Sequence, residues 1–308
     1  MSLAVQFFEY GPPEVLQLVD VPDPAPGPGQ VRLRVRAAGV NPIEWKLRSG
    51  MMGSSGQREL PSGLGTELAG AVDELGEGVS GLAVGDQMLG RAVTPAYAEL
   101  AVCKVDDLVS KPDGISWEVA GGLCIGAQTS YRVLALLNLK PGETLLIHAA
   151  AGGVGIFATQ VAIARGANVI GTAGAHNQGF LRSIGATPVL YGDGLADRVR
   201  AIAPDGVDAV LDCSGRGDLP LSIELAGGPE RVVTIVSARE AAELGAQFTG
   251  GPSARAIDVS GALPEVIELI LAGHLEAPIW RAYPLADAAA AQAESEAGHL
   301  RGKIVLVP

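Results

Sequence analysis

The spacing of hydrophobic positions divides this chain into three stretches. Up to about residue 115 they alternate with polar positions over short runs, as in Val-Arg-Leu-Arg-Val at 31–35, between Gly/Pro clusters at 11–13 and 22–29. Alternation with a period of two predicts half-buried β-strands, and the clusters predict the turns between them. From 116 to about 255, short runs of Val, Ile and Leu are followed by helical spacing, which predicts repeated strand–helix units.

The aliphatic runs in the middle stretch locate its individual elements. We predict strands at 145–149, 168–173, 187–191, 207–212 and 231–236, with helices at 154–166, 177–185, 195–203 and 217–226. After residue 262 the pattern predicts two amphipathic helices, at 263–275 and 285–299, and a last strand at 303–307. This tail is too short to fold alone, so we expect it to pack on the N-terminal stretch. The fold class predicted is α/β.

The composition indicates a folded protein of two domains. The chain has 308 residues, of which 48% are hydrophobic and only 18% are charged, so it can bury two cores. Its formal net charge of −12 argues against nucleic acid and against anionic membrane surfaces as partners.

The cysteines and the apolar segments bear on the compartment. The three cysteines (Cys103, Cys124 and Cys213) lack C-x-x-C spacing, which predicts small buried side chains without disulfides or a zinc cluster. The first ten residues have no basic region of the kind that begins a signal peptide. Polar residues and glycines interrupt the apolar stretch at 145–164, so we expect no membrane span. These features predict a cytoplasmic protein.

The most informative motif is Ile147-His148-Ala149-Ala150-Ala151-Gly152-Gly153-Val154-Gly155, between a predicted strand and a predicted helix. A helix that begins after a turn of small residues presents free backbone N–H groups and the positive end of its dipole to an anion. Ala150, Gly152 and Gly155 occupy the glycine positions of the G-x-G-x-x-G dinucleotide motif, with alanine in place of the first glycine.

The sequence after this motif favours NADP(H) over NAD(H). Sites for NAD usually carry an acidic residue about 20 positions after the glycines, where it binds the ribose 2′-hydroxyl. From 144 to 192 this chain has neither Asp nor Glu, and a carboxylate there would repel a 2′-phosphate. His176, Asn177 and Arg182 are candidate donors to that phosphate, and Tyr191 ends the third strand. His176 is equally compatible with a solvated loop residue.

Several short segments, in this order and spacing, resemble the medium-chain dehydrogenase/reductase superfamily, and in particular its zinc-free quinone oxidoreductase (zeta-crystallin-like) branch. The segments are Asn-Pro-Ile-Glu-Trp-Lys at 41–46, Gly-Thr-Glu-Leu-Ala-Gly at 65–70, Val-Gly-Asp at 84–86, Ala-Gln-Thr at 127–129, Ala-Gly-Gly-Val-Gly at 151–155 and Arg-Gly-Lys-Ile-Val at 301–305. Together they extend over essentially the whole chain.

The resemblance implies a β-rich GroES-like substrate domain at 1–115 plus 260–308. A Rossmann dinucleotide-binding domain with a doubly wound parallel sheet is inserted at 116–259, and the active-site cleft lies between the two domains. It also implies a homodimer that uses NADPH to reduce small molecules, namely quinones or other α,β-unsaturated carbonyls.

The resemblance also assigns roles to single residues. Asn41 and Thr129 correspond to residues beside the nicotinamide, and Gly152, Gly153 and Val154 to the pyrophosphate turn. Gly174, His176 and Tyr191 correspond to residues around the adenosine ribose and its 2′-phosphate. Many bacterial members carry serine and a lysine or arginine at the positions of Gly174 and His176, and several carry tyrosine at the position of Lys46.

Zinc-dependent relatives bind the metal through a cysteine near the position of Asn41 and a Gly-His-Glu triplet. Here the triplet is Gly-Thr-Glu at 65–67, so we expect no metal site. Without a Lewis acid, direct hydride transfer to a conjugated carbonyl is favoured, since the charge that develops spreads onto oxygen. Lys46 is a candidate proton donor and Trp45 a candidate wall of the substrate site. A surface lysine and a core tryptophan are the alternatives for these two residues.

Two carboxylates of the same segments, Glu44 and Glu67, are expected to be structural and to pair with the backbone or with Arg48. Two other functions stay open for the chain as a whole. One is carbonyl reduction or alcohol oxidation without zinc on the same scaffold, and the other is NADPH binding without catalysis.

Overall fold

A computed structural model describes residues 1–216, 219–251, 254 and 257–308. Contacts between Cα atoms divide the chain into two units: Met1–Ile125 with Pro278–Pro308 form unit 1, and Gly126–Ala277 form unit 2. The boundaries expected from the sequence, 115/116 and 259/260, lie earlier than these. Residues 116–125 and 260–277 lie between the expected and the observed boundaries, and both segments contain helices. Contacts place the first segment in unit 1 and the second in unit 2, and hydrophobic spacing does not encode such contacts.

Fifteen strands occur in the described ranges. They are β1 (Ser2–Phe7), β2 (Leu16–Val21), β3 (Gln30–Val40), β4 (Ser62–Gly63), β5 (Glu67–Leu75), β6 (Gln87–Ala92), β7 (Leu100–Ser110), β8 (Thr144–His148), β9 (Asn168–Ala173), β10 (Thr187–Leu190), β11 (Ala209–Asp212), β12 (Val232–Thr234), β13 (Gln247–Phe248), β14 (Ile279–Pro284) and β15 (Lys303–Val307).

The same ranges contain ten α-helices. They are α1 (Pro42–Arg48), α2 (Trp117–Gly121), α3 (Cys124–Leu137), α4 (Gly155–Ala164), α5 (Gln178–Ser183), α6 (Leu195–Arg200), α7 (Leu219–Ala226), α8 (Ala238–Leu244), α9 (Ala262–Leu271) and α10 (Ala288–Ala297). None of these helices combines the length and apolar character that crossing a bilayer requires.

Unit 1 is built on a sheet with the strand order β14-β15-β3-β5-β6-β7, in which β3 also pairs with β7. The strands β3, β5, β6 and β7 therefore close into a small barrel without a free edge. Val31 and Leu33 on β3 are fully buried, whereas Arg34 is exposed, as the alternation at 31–35 predicts. A separate sheet with the order β2-β1-β4 completes the strands of this unit.

Unit 2 contains a six-stranded sheet with the order β10-β9-β8-β11-β12-β13, and all of its strands are parallel. Numbered from β8, this is the order 3-2-1-4-5-6 of the Rossmann fold. Leu146, Ile170 and Val210 are buried in its core, which explains why its strands are continuous hydrophobic runs. The predicted α/β class with a Rossmann sheet and a β-rich domain is confirmed.

The five strands predicted for the middle stretch are present, with ends that differ by up to two residues. The helices are shorter than predicted: 263–275 is helical only over Ala262–Leu271, and 285–299 only over Ala288–Ala297 after a 3-10 turn. The first two residues of the helix predicted at 217–226 lie outside the described residues.

Three elements of the C-terminal half were not predicted, namely α8, β13 and β14. The strand β14 lies at the edge of its sheet, and none of its side chains is buried. It therefore carries no alternation of hydrophobic and polar positions. The strand β13 has only two residues, too few for any periodicity to be recognised.

Candidate functional site

The turn between β8 and α4 has the geometry of a phosphate-binding site. It begins at Ala149, whose φ of 56° lies in the left-handed region that non-glycine residues rarely occupy. The amide of Gly152 donates to the carbonyl of Ala149 at 3.0 Å, and the amide of Ile156 donates to the carbonyl of Gly152 at 3.0 Å. The residue that makes the tight turn is thus Ala149, one position before the alanine that the motif identified.

The N-terminus of α4 leaves donors for an anion. Within the described part of the chain, the amides of Gly153, Val154 and Gly155 donate no hydrogen bond. Residues 152–154 are half-buried, so a ligand can reach them. These amides point along a helix of ten residues, whose dipole adds a partial positive charge at this end. The turn can therefore hold a pyrophosphate.

Gly152 and Gly155 have different structural roles in the turn. A Cβ atom at Gly155 would collide with the carbonyl of Ala149 and the backbone of Ala150, so the fold itself requires glycine there. A Cβ atom at Gly152 would lie 3.3 Å from the carbonyl oxygen of Ala149 and meet no other atom within 4 Å. A side chain at Gly152 would need only a small shift of this carbonyl, and the open space beside Gly152 suits an approaching phosphate.

Helix α3 packs beside this turn. Ser130 is fully buried, and its hydroxyl lies 2.7 Å from the carbonyl of Gly126 and 3.1 Å from that of Val154, to either of which it can donate. Thr129 is 8% exposed, and its hydroxyl lies 3.4 Å from Nη2 of Arg132. Arg132 also donates to the hydroxyl of Thr249 at 2.8 Å. The predicted residue Thr129 therefore lies in a buried polar cluster of unit 2.

A second group of predicted residues meets at the ends of β9 and β10. A Cβ atom at Gly174 would lie 3.3 Å from Cε1 of His176 and 3.7 Å from Cε1 of Tyr191, so the three residues are neighbours. His176 is exposed, and its Nε2 lies 3.2 Å from Nδ2 of Asn177. The guanidinium of Arg216 lies 5.3 Å from the ring centre of Tyr191, within range of a cation–π contact. The sequence did not point to Arg216.

The predicted residue Asn41 belongs to a buried polar network in unit 1. Its Nδ2 donates to Oε1 of Glu67 at 2.9 Å, and its Oδ1 accepts from the ammonium of Lys303. The same ammonium lies 2.8 Å from Oε1 of Glu67, and the second oxygen of Glu67 accepts from the amide of Ile125 at 2.7 Å. Because Asn41, Glu67 and Lys303 are all at most 5% exposed, they hold one another in fixed orientations.

Glu44 extends this network. Its Oε2 accepts from the amide of Asn41 at 2.7 Å, and its Oε1 accepts from the hydroxyl of Thr66 at 3.0 Å. Burial raises the pKa of Glu44 to about 7, and the Lys303 ammonium opposes this shift. The expected backbone pairing of Glu44 and Glu67 is present. The alternative partner, Arg48, is not used by either carboxylate, and its Nη2 donates to Glu296 at 2.9 Å.

The raised pKa of Glu44 makes stability depend on pH. Between pH 4.5 and about 7, Glu44 binds a proton in the folded protein but not in the unfolded chain. The stabilising contribution of this proton to the free energy of unfolding is therefore complete below pH 4.5 and is lost as the pH rises through about 7. At 1.4 kcal/mol per pKa unit, the loss is about 3 kcal/mol. We expect the free energy of unfolding of Glu44→Gln, relative to wild type, to rise over this range in urea titrations. If the free energies of unfolding of Glu44→Gln and wild type changed with pH in parallel, the raised pKa of Glu44 would be contradicted. The control is Glu268→Gln, which removes an exposed carboxylate and should follow the wild type.

The two candidate catalytic residues on α1, Trp45 and Lys46, are both half-buried. The ammonium of Lys46 lies 5.5 Å from the ring centre of Trp45. Burial lowers the pKa of Lys46 below its usual value. A lysine with a lowered pKa gives up its proton more readily, which suits a proton donor.

The residues that correspond to zinc ligands are engaged in hydrogen bonds. Asn41 and Thr66 both belong to the network described above. No group of three or more His, Cys, Asp or Glu side chains in the described ranges is arranged to hold a metal ion. A divalent cation beside Asn41 would also meet the ammonium of Lys303, a like charge.

All three cysteines are free thiols, as the spacing predicted. Cys103 and Cys124 are buried and Cys213 is half-buried. Burial raises the pKa of all three, that of Cys103 to about 12, so none is a reactive thiolate near neutral pH.

Comparisons with known proteins agree with this geometry. Residues 27–169 match the family "Alcohol dehydrogenase GroES-like domain", and residues 184–306 match "Zinc-binding dehydrogenase". A quinone oxidoreductase from Pseudomonas aeruginosa is 36% identical, and the match covers all of both chains. A crystal structure of Escherichia coli quinone oxidoreductase complexed with NADPH superposes with a TM-score of 0.88 at 29% identity, covering 99% of this chain and 100% of that one.

A quinone oxidoreductase structure from Coxiella burnetii is similar over the same length, with a TM-score of 0.87 and 32% identity, covering 100% of this chain and 99% of that one. The two solved structures therefore match the fold of this chain over essentially its whole length. The chain belongs to the medium-chain dehydrogenase/reductase superfamily and, within it, to the quinone oxidoreductases.

Proposed function

We propose that this protein is an NADP(H)-dependent oxidoreductase that reduces quinones and other α,β-unsaturated carbonyls by direct hydride transfer without zinc. Unit 2 is the dinucleotide-binding domain in this proposal, and unit 1 binds the substrate. The observation that carries it is the turn at 149–155, with unpaired amides in the described structure and open space beside Gly152. The names of the quinone oxidoreductase relatives, one of them complexed with NADPH, support the choice of cofactor and substrate.

The cofactor supplies a hydride when it is bound, and the chain's own residues bind and orient it. Gly153 and Val154 offer their amides to the pyrophosphate, and Gly152 leaves its approach open. Asn41 lies beside the nicotinamide in our proposal. Its amide group keeps one hydrogen for a ligand after Nδ2 donates to Glu67, and the bonds to Glu67 and Lys303 fix the direction in which that hydrogen points.

Reaction without zinc is supported by the side chains at the corresponding positions. Asn41 and Thr66 are neutral and already hydrogen-bonded, and Lys303 brings a positive charge to the network. A simple alcohol would need a Lewis acid to stabilise the alkoxide, whereas a conjugated carbonyl spreads its charge to an oxygen that a hydrogen-bond donor can stabilise. The chemistry of these positions therefore favours quinones and enones over alcohols.

Lys46 is our proposed proton donor, and its lowered pKa gives a specific expectation. The rate of quinone reduction should fall as the pH rises through the pKa of Lys46, since the ammonium loses its proton, and this fall should begin below the usual range for lysine. Lys46→Arg should move the fall to higher pH, and Lys46→Met should remove it and lower kcat by about tenfold or more. The measurement is kcat against pH for the three proteins. A profile unchanged in Lys46→Met would instead assign the proton to solvent.

The proposed function is tested by NADPH oxidation with a panel of quinones, enones and alkenals, with and without a chelator. We expect turnover with some of these acceptors and no effect of the chelator. Alcohol oxidation that a chelator abolishes would favour a zinc-dependent dehydrogenase instead. NADPH binding without turnover across the panel would favour a protein that binds the cofactor without catalysis.

We also propose a homodimer, as the family resemblance implies. The strand β13 ends the parallel sheet of unit 2 and pairs only with β12 among the described residues, so its other edge is available to a second copy. Light scattering coupled to size-exclusion chromatography should give twice the chain mass of 31.4 kDa. A mass equal to that of one chain would contradict the proposal.

A further inference from the structure

Gly174, His176 and Tyr191 are neighbours in unit 2 that supply no fixed positive charge, and Arg216 lies beside them. Tyr191 and Gly174 are uncharged, and His176 is the only titratable base among the three. The guanidinium of Arg216 lies over the ring of Tyr191, 5.3 Å from its centre. Both residues are exposed, so the pair is open to a ligand from solution.

The position of Arg216 follows from the order of the strands. It lies in the segment after β11, whereas Tyr191 follows β10, and the sheet order places β9 and β8 between these two strands. Three strand spacings of about 4.8 Å separate β10 from β11, so a contact between the two side chains reaches across the carboxyl ends of β9 and β8. The phosphate turn follows β8, and dinucleotides bind at this end of a Rossmann sheet. Arg216 therefore lies at the end of the sheet where we expect the adenosine of a dinucleotide to bind.

The segment that carries Arg216 is held by buried side chains. Oδ1 of Asp212, at the end of β11, accepts from the amides of Ser214 and Gly215 at 2.8 and 3.2 Å. Its other oxygen accepts from the hydroxyl of Thr234 at 2.8 Å, and both Asp212 and Thr234 are at most 1% exposed. Gly215 has a φ of 63°, and a side chain there would collide with Val236. The backbone up to Arg216 is thus fixed by the protein.

We propose that Arg216 recognises the 2′-phosphate of NADP(H), next to Tyr191 and His176. The planar guanidinium offers paired N–H donors that match phosphate oxygens, and it keeps its charge at every physiological pH, unlike histidine. This inference rests on the proposed use of NADP(H). It assigns the discrimination between NADP(H) and NAD(H) to a residue in the segment after β11, in addition to the absence of an acid after β9.

The test measures dissociation constants by calorimetry for four nucleotides: NADPH, NADH, 2′,5′-ADP and 5′-AMP. Arg216→Ala should weaken NADPH and 2′,5′-ADP about tenfold or more, since it removes a charge-assisted hydrogen bond, and should leave NADH and 5′-AMP within about twofold. Arg216→Lys should retain part of the affinity for the two phosphorylated ligands. Arg239→Ala, at an exposed arginine on α8 that pairs with Glu243, should change none of the four.

Equal weakening of all four nucleotides by Arg216→Ala would overturn the inference, because it would show that Arg216 contacts the adenine and not the 2′-phosphate. Unchanged affinities would overturn it too. Failure of the wild-type protein to bind NADPH would instead contradict the proposed function. The wild type thus tests the proposed function, and the comparison with Arg216→Ala tests the role of Arg216.

Discussion

Replacing Gly152 with valine is expected to abolish the binding of NADPH and NADH while the protein stays folded. The backbone of Gly152 is not in the left-handed region, and a Cβ atom would approach only the carbonyl of Ala149, at 3.3 Å. The two methyl groups of valine would fill the space through which the pyrophosphate reaches the amides of Gly153 and Val154. Loss of two charge-assisted hydrogen bonds should lower the affinity more than ~100-fold, as measured by fluorescence titration of the reduced nicotinamide.

The matched control is Gly179→Val, at an exposed glycine of α5 where a Cβ atom would meet nothing within 4 Å. It should bind both nucleotides like the wild type. Gly155→Val should differ from both variants by unfolding the protein, because its side chain would collide with Ala149 and Ala150. If Gly152→Val bound NADPH like the wild type, the turn would not be the pyrophosphate site.

Replacing Lys303 with methionine is expected to destabilise unit 1 by about 3–5 kcal/mol, because it leaves the buried carboxylate of Glu67 without its counter-charge. Glu67 is fully buried and Lys303 is 5% exposed, so solvent cannot take the place of the ammonium. Urea unfolding monitored by circular dichroism measures the loss. Combining Lys303→Met with Glu67→Gln should restore part of the stability, since no buried charge is then left unpaired.

The matched control is Lys104→Met, at an exposed lysine of β7 in the same unit. Surface substitutions of this kind change stability by about 0.5 kcal/mol or less. A destabilisation of Lys303→Met as small as that of the control would contradict the role of the pair. If the losses of stability in Lys303→Met and Glu67→Gln simply added up in the double variant, the coupling between the two residues would be contradicted.

The sequence predicted the parts of the fold that follow from local patterns. The strands β8 and β9 are continuous aliphatic runs because the parallel sheet buries them on both faces, and such runs are visible without a structure. The phosphate turn was visible for a similar reason, since close backbone approach requires small residues in consecutive positions. The edge strand β14 was not predicted, because a strand with no buried side chain has no hydrophobic pattern.

The polar parts of the site were harder to predict, because their partners are distant in sequence. Lys303 and Glu67 are separated by 236 positions, and nothing near either residue indicates the other. Arg216 was missed because one arginine in a Gly-rich segment has no distinctive local signature. Ala149 shows a different limit: the motif implied that the tight turn needs glycine at its first position, whereas the chain places an alanine with positive φ one residue earlier.

The central proposal is that the turn at 149–155 holds NADPH for the reduction of a quinone. The most direct measurement follows the consumption of NADPH and of NADH with a small benzoquinone, for the wild type and Gly152→Val side by side. We expect the wild type to consume NADPH much faster than NADH, and the variant to consume neither. Equal rates for the two proteins, or no consumption by the wild type with any quinone tested, would contradict the proposal.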